Sequence, residues 1–302
     1  MLKKLLSLLL ALALVFTFAA CESSRDYDDD EDEDDDSVAE TETEKETIIE
    51  KDETINFEEM VVEDNEDYTI IIKDINPHDE WGYTIDIYVE NHTENDVEFT
   101  INNCCVNDLM CDAYFSVKVS PDKKANDQIT IYEEELNSLN IKKVTNLNLY
   151  LAVYDPESWD KLYTAEATIY PYGADACEPF QRISTENEIV VVDNSKCTLI
   201  LLGVDEEFGW GYSVKVYMHN KTQNPIHLYI ADTAINDIML DGWGVLYEVI
   251  PGKHTYGHIY WDYGDMKENG IEDVEKIWVE LMVEDWIKYE TLFEAEIEFA
   301  PF

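Results

Sequence analysis

His254 and His258 stand four residues apart, the interval at which two imidazoles on one face of a helix hold a metal ion. The stretch that carries them, HTYGHIYW, contains a glycine and alternates as a strand does. The pair is therefore read as partly exposed strand residues, and no metal is expected. Carboxylates offer no better-defined chemistry. With 68 Asp and Glu residues in 302, pairs at glycosidase-like spacing occur throughout and single out none. The chain has no G-x-S-x-G, no H-E-x-x-H, no P-loop and no C-x-x-C. These features argue for a protein that is not an enzyme and uses no cofactor.

Two tryptophans are better candidates, for recognition rather than catalysis. Trp243 sits in DGWGV between glycines, and Trp261 in HIYWDYGD, with Asp241, Asp262 and Asp265 beside them. Large rings in glycine-flanked turns next to carboxylates are suited to stack on a sugar or to anchor a basic peptide. The alternative is that both rings close the end of the fold. The cysteines bear on place rather than mechanism. Setting Cys21 aside leaves Cys104, Cys105, Cys111, Cys177 and Cys197, an odd number. Two disulfides are candidates: Cys104 or Cys105 with Cys111 across an Asn-Asp turn, and Cys177 with Cys197. In a reducing niche all five would instead be thiols.

The first twenty residues read as an export signal. Lys3 and Lys4 precede the apolar run LLSLLLALALVFTFA, and small residues lead to Cys21. The run is shorter than the roughly 18 residues that a membrane span needs. With FAAC at its end, the segment resembles a bacterial lipoprotein signal peptide. That resemblance implies that Cys21 is lipidated and that two acyl chains anchor the protein to the extracellular face of the cell membrane without spanning it.

The segment that follows reads as a disordered tether, 21–54. Between Glu22 and Glu53 there are 18 acidic and three basic residues, a net charge of −15, with almost nothing apolar to bury. An alternative is that the run weakly collects Ca²⁺ or a basic partner, although calcium loops alternate their ligands around a glycine and this run has none. The whole chain carries 20 basic residues against 68 acidic ones, a net charge of −48. Such a charge excludes nucleic acid as a natural partner, because binding it needs Lys and Arg to replace condensed counterions.

Beyond residue 55 the sequence repeats itself. WGYTIDIYVENHT from Trp81 returns as WGYSVKVYMHNKT from Trp210, VNDLM at Val106 returns as INDIM at Ile235, and Pro121, Asp155 and Pro171 meet Pro251, Asp285 and Pro301. This is a whole-domain duplication. Each copy reads as β structure: Tyr83, Ile85, Ile87 and Val89 alternate with polar residues, as do Leu147, Leu149, Leu151 and Val153 and their counterparts Ile277, Val279, Leu281 and Val283. Short strands separated by Asn, Asp, Gly and Pro at ten- to fifteen-residue intervals favour an antiparallel sandwich of seven or eight strands per copy. Short helical turns are expected at EEELNSLNI and GDMKENGI. Asn91-His92-Thr93 and Asn220-Lys221-Thr222 match a glycosylation sequon but are read as tight turns, as are Asn107-Asp108 and Asn236-Asp237.

The order of N-x-T, VND.M.D, P.K, a short helix and an L.V.D strand resembles the immunoglobulin-like repeats of uncharacterised surface lipoproteins of Gram-positive, clostridia-like bacteria, over residues 56–172 and 185–302. The resemblance implies a fold and offers no catalytic residues. The expected plan is therefore a signal peptide at 1–20, the tether at 21–54, one immunoglobulin-like β-sandwich at 55–173, a linker of modest hinge freedom at 174–184, and a second sandwich at 185–302. The function expected is a non-enzymatic surface module that binds a protein, peptide or glycan, or a spacer. The alternative is an accessory or scaffold subunit of a transporter or envelope-processing system.

Overall fold

The computed structural model describes residues 55, 57–178, 180–206, 208–245 and 248–302. The export segment, Cys21 and the acidic run at 21–54 lie outside these residues. No helix among the described residues is long and apolar enough to cross a membrane.

The first copy contributes β1 (Met60–Asp64), β2 (Tyr68–Asp79), β3 (Gly82–Asn91), β4 (Val97–Val106), β5 (Leu109–Cys111), β6 (Ser116–Val119), β7 (Lys123–Tyr132), helix α1 (Glu133–Ser138), β8 (Leu147–Tyr154) and β9 (Lys161–Ile169). The second contributes β10 (Ile189–Asp193), β11 (Cys197–Val204), β12 (Tyr212–Asn220), β13 (Ile226–Ile235), β14 (Ile238–Met239), β15 (Trp243–Val245), β16 (His254–Trp261), helix α2 (Tyr263–Glu268), β17 (Ile277–Asp285) and β18 (Glu290–Phe299). The structure is all-β apart from these single helical turns, which fall where the sequence placed them. More strands form than the seven or eight expected, because the edge pieces β5, β6, β14 and β15 are too short to show a period.

In the first copy the sheet β1-β2-β3-β7 packs on one centred on β4 and β8, with β5 and β6 on one flank and β9 on the other. Successive strands thus pass back and forth between two sheets, the Greek-key connection of an immunoglobulin-like sandwich. The second copy follows the same path, with β10-β11-β12-β16 against β14-β13-β17-β18. Alternation explains the pairing: Tyr83, Ile85, Ile87 and Val89 are buried in the first core, and Ile277, Val279, Leu281 and Val283 in the second. The repeated W-G-Y line has a backbone reason. A Cβ at Gly82 would lie 2.4 Å from the carbonyl oxygen of Ile131, and one at Gly211 would lie 2.2 Å from that of Trp261. Only glycine lets the strand start this close to its neighbour.

The two sandwiches are joined edge to edge. Strand β16 runs parallel to β5 with His254 opposite Leu109, and the amide of His254 donates to the carbonyl of Asp108 at 3.0 Å. The pairing fuses the β4 sheet of the first copy with the β12 sheet of the second into one ten-stranded sheet. Lys253 reinforces it, reaching Asp108 Oδ1 at 2.5 Å and Asn148 Oδ1 at 2.6 Å. Side chains alternate across this seam. Cys104, Val106, Leu109 and Cys111 enter the first core, whereas Cys105 and Met110, both fully buried, pack into the second.

The connecting segment is held as well, which corrects the expected hinge freedom. A 3₁₀ turn at Ala174–Ala176 begins it, Phe180 packs on His254 with ring centroids 4.4 Å apart, and Arg182 grips Glu188 with two hydrogen bonds of 2.6 and 2.8 Å. Because Met110 fills the second core from outside its own copy, Met110→Ala is expected to cost about 2–4 kcal/mol. The loss should appear in urea denaturation. It should also appear as faster amide exchange in β11 and β16, and residues 185–302 expressed alone should be less stable than within the whole chain.

Candidate functional site

The sequence candidates around Trp243 converge on one end of the second sandwich. Strand β15 pairs with β16, placing Trp243 opposite Tyr260, and the indole is 56% exposed. Beside it opens a cavity of about 450 Å³, lined among others by Trp243, Asp241, Asp265, Asp232, Asn269 and Met239. The carboxylates come from three separate segments: the bulge in β13 (Asp232), the turn before β15 (Asp241) and the first turn of α2 (Asp265). An exposed indole with carboxylates and an amide around it presents a stacking face and hydrogen-bond acceptors together.

Trp261 belongs to a different layer and corrects the expectation that it contacts ligand. Its side chain is fully buried in the second core, because β16 alternates and places Thr255, Gly257, Ile259 and Trp261 inward. Its indole nitrogen donates to Thr233 Oγ1 at 2.9 Å, and that hydroxyl donates to the carbonyl of Leu240. The polar handle of the ring is thereby satisfied; Thr233 and Leu240 form the floor of the cavity, and Trp261 holds Thr233 from beneath. Gly242 fits against this floor. A Cβ there would stand 2.7 Å from Thr233 Cγ2 and 3.0 Å from the Trp261 indole nitrogen. Asp262 is occupied too: as the N-cap of α2 its Oδ1 accepts the amides of Gly264 and Asp265 at 2.7 and 3.2 Å. Three of the five sequence candidates thus line the cavity, one caps the adjacent helix and one supports the floor. Asp232 and Asn269 were not singled out in sequence, since neither is near Trp243 in the chain.

Neither candidate disulfide is formed. All five described cysteines are free thiols. Cys104 and Cys111 do face each other across β4 and β5. Their thiols hydrogen-bond, and that bond, with burial, pushes the Cys111 thiol up. Cys105 is turned to the opposite face of the same strand, into the second core, and contacts the Met110 sulfur at 3.3 Å. Cys197 is buried in the second core, whereas Cys177 sits half-buried in the connecting segment.

The repeated asparagines are structural. Asn91 is fully buried, donates to the carbonyls of Asn95 and Val119 at 2.7 and 2.9 Å, and accepts from the amide and hydroxyl of Thr93. Asn220 does the same with Asn224, Val249 and Thr222. Asn107-Asp108 and Asn236-Asp237 all have left-handed backbone conformations, and each Asn side chain then pins the segment leading into β8 or β17. His254 and His258 lie on one face of strand β16, about 13 Å apart at strand rise, too far to share a metal. His258 Nε2 donates to Asp205 Oδ2 at 2.9 Å. Among the described residues no group of three or more His, Cys, Asp or Glu side chains is disposed to hold a metal.

His254 is the imidazole at the seam. Its Nδ1 lies 2.7 Å from the Tyr217 hydroxyl, and its ring stacks 4.0 Å from that of His219. Burial, with the neighbouring His219 adding to it, pushes its pKa down to about 4.

No protein-family model matches the chain, and no curated protein matches it. Solved structures that show a distant likeness include the following three. A conserved domain protein from Bacillus anthracis is 10% identical, covering 80% of this chain and 89% of its own, with a TM-score of 0.25. The YadV chaperone is 9% identical over 72% of this chain and 92% of its own, at 0.24. A protein of unknown function from Porphyromonas gingivalis is 13% identical over 74% and 92%, at 0.19. Likenesses of this order carry no functional information.

Two outcomes test this description. Gly242→Val is expected to push Thr233 and Trp261 out of register and to destabilise the second sandwich by about 1–3 kcal/mol, read from denaturant midpoints. The folded pKa of His254 lies below that of free imidazole. The neutral ring therefore costs nothing above about pH 6.5, and stability falls as the unfolded state takes up its proton between about 6.5 and 4. Over that window the parent is expected to lose stability relative to His254→Gln, whereas at pH 8 the difference between them should not vary with pH.

Proposed function

We propose that this chain is a lipid-anchored protein of the bacterial envelope whose folded part is a non-enzymatic binding module, and that the cavity beside Trp243 is its recognition site for a glycan or a basic peptide. The observation that carries the reading is the exposed Trp243 ring standing over a cavity rimmed by Asp232, Asp241, Asp265 and Asn269. An indole face stacks on the apolar face of a pyranose or on a cationic side chain, while carboxylates accept from sugar hydroxyls or pair with Lys and Arg. The rigid floor favours recognition over mere exposure: Trp261, Thr233 and Gly242 fix the turn that presents the ring, so little ordering entropy is left to be lost on binding.

The anchoring half of the reading rests on the lipoprotein-like signal ending at Cys21, and the acidic run at 21–54 would hold the sandwiches off the bilayer as a tether. The net charge of −48 supports a basic or neutral ligand at this site and opposes direct docking on anionic wall polymers. Attachment of this module to a transporter or an envelope-processing enzyme would use the same surface and is the second reading.

On a glycan and peptide array, Trp243→Ala and Asp241→Asn are expected to lose at least tenfold in retention. The Trp243 variant should keep its thermal stability within about 1 kcal/mol of the parent, as for a surface change. Undiminished retention in Trp243→Ala would remove the site. In cells, a fatty-acid probe should label the parent and not Cys21→Ala. An unlabelled parent would remove the anchor and leave the cavity reading intact.

A further inference from the structure

The larger cavity of about 880 Å³ lies where the two sandwiches and the connecting segment meet. Its walls come from the loop between α1 and β8, from the connecting segment, and from the outer face of the β12–β16 sheet. It therefore exists only because the β5–β16 seam fixes one sandwich against the other.

Its charge runs against the rest of the molecule. The chain has about 3.4 acidic residues for each basic one, yet among the described residues lining this cavity three are lysines, Lys142, Lys143 and Lys215, and one is a glutamate, Glu178. Lys142 and Lys143 arrive from the first copy and Lys215 from β12 of the second, so the convergence is made by the fold and not by a basic run. Among the described residues Lys142 and Lys215 have no carboxylate in ion-pairing reach, and Lys215 lies instead 5.7 Å from the centre of the Tyr256 ring. In a chain so rich in carboxylates, two ammonium groups left without one beside a half-open cleft are available to a ligand's charge. Leu139, Ile183, Phe180 and Tyr256 give the cleft an apolar and aromatic portion, with Ile183 81% exposed at the rim, and uncharged polar residues such as Asn140, Gln181 and Thr185 complete the lining.

We propose that this cleft is a second binding site, for a small organic anion with an apolar or aromatic body. Its carboxylate, sulfonate or phosphate would be met by Lys142 and Lys215, and its apolar body would be covered by Phe180, Ile183 and Leu139. The volume is that of sites for drug-sized ligands, and contact between two domains is a common place for them. The strongly negative surface elsewhere repels the same anion, so the cleft is where it would reside. The ligand would touch both sandwiches and the connecting segment at once, and its binding would stiffen the seam. The site is opposite in charge to the Trp243 cavity and independent of it.

The test is calorimetric titration of the full chain with naphthalenesulfonate, the neutral naphthalenemethanol serving as control. Saturable binding of the sulfonate is expected with a Kd on the order of a millimolar or lower, as for a fragment-sized ligand, with the neutral alcohol at least fivefold weaker. The double variant Lys142→Ala/Lys215→Ala should weaken sulfonate binding at least fivefold, Lys142→Arg/Lys215→Arg should stay within about twofold of the parent, and Trp243→Ala should leave it unchanged. Any of four results would overturn the proposal: no saturable binding to the parent, equal binding of the neutral alcohol, equal binding by the double alanine variant, or loss of binding in a folded double arginine variant. The arginine variant keeps the test decisive if the alanine variant folds poorly, because loss of binding in a folded, charge-retaining protein would show that the lysines act as structure rather than as a charged site.

Discussion

The backbone hydrogen bond from the amide of His254 to the carbonyl of Asp108 marks the contact on which the rest of the architecture depends. Every sandwich of this kind leaves open edges, and an open edge is a row of unpaired donors and acceptors. Here β5 meets the edge of β16 at His254, beyond the stretch of that edge that β15 covers. Once β5 and β16 are paired, Lys253 can reach Asp108 and Asn148, and Cys105 and Met110 are carried into the second core. The connecting segment can then lie across the aromatic face of β12 and β16. The pairing costs the chain the independent motion of its two halves and gives it a large shared sheet in return.

Duplication followed by divergence accounts for where the chemistry lies. The two copies keep their turns, their buried asparagines and their inward-facing strand residues, because each is tied to backbone geometry. They differ at their edges. Met110 is fully buried at the seam while its counterpart Met239 is 60% exposed on the rim of the Trp243 cavity. The same strand position thus closes a joint in one copy and faces a candidate ligand site in the other. The charge distribution follows the same division. Carboxylates dominate the surface and gather at the Trp243 cavity, whereas lysines converge in the cleft between copies.

Much of this was legible in the sequence, and what was not has a physical reason. The period-2 runs from Tyr83 and Leu147 disclosed the strands, and the offset between the W-G-Y lines disclosed two copies of one sandwich. The Asn-Asp turns were legible because left-handed residues in both copies demand the same types. Trp243 and Asp241 were found as a glycine-flanked ring and its neighbour, and Asp265 as a neighbour of Trp261; that Trp261 closes the fold instead of meeting a ligand was one of two readings, because an aromatic residue at a strand end looks the same whether it points inward or outward. The seam was hidden. Its sign, CCV at the end of β4 and LMC in the short β5 as unbroken apolar runs buried on both faces, resembled a disulfide pattern. Lys142 and Lys215 are 73 positions apart and could be joined only by the fold.

Through the β5–β16 seam the two sandwiches form one rigid body. Residual dipolar couplings measured on backbone amides of the whole chain in a weakly aligning medium test it most directly. Couplings from residues 57–172 and from 189–302 should fit a single alignment tensor, with magnitudes and principal axes that agree between the halves. Two tensors of different magnitude, one for each half, would mean that the sandwiches reorient independently, and would contradict the account.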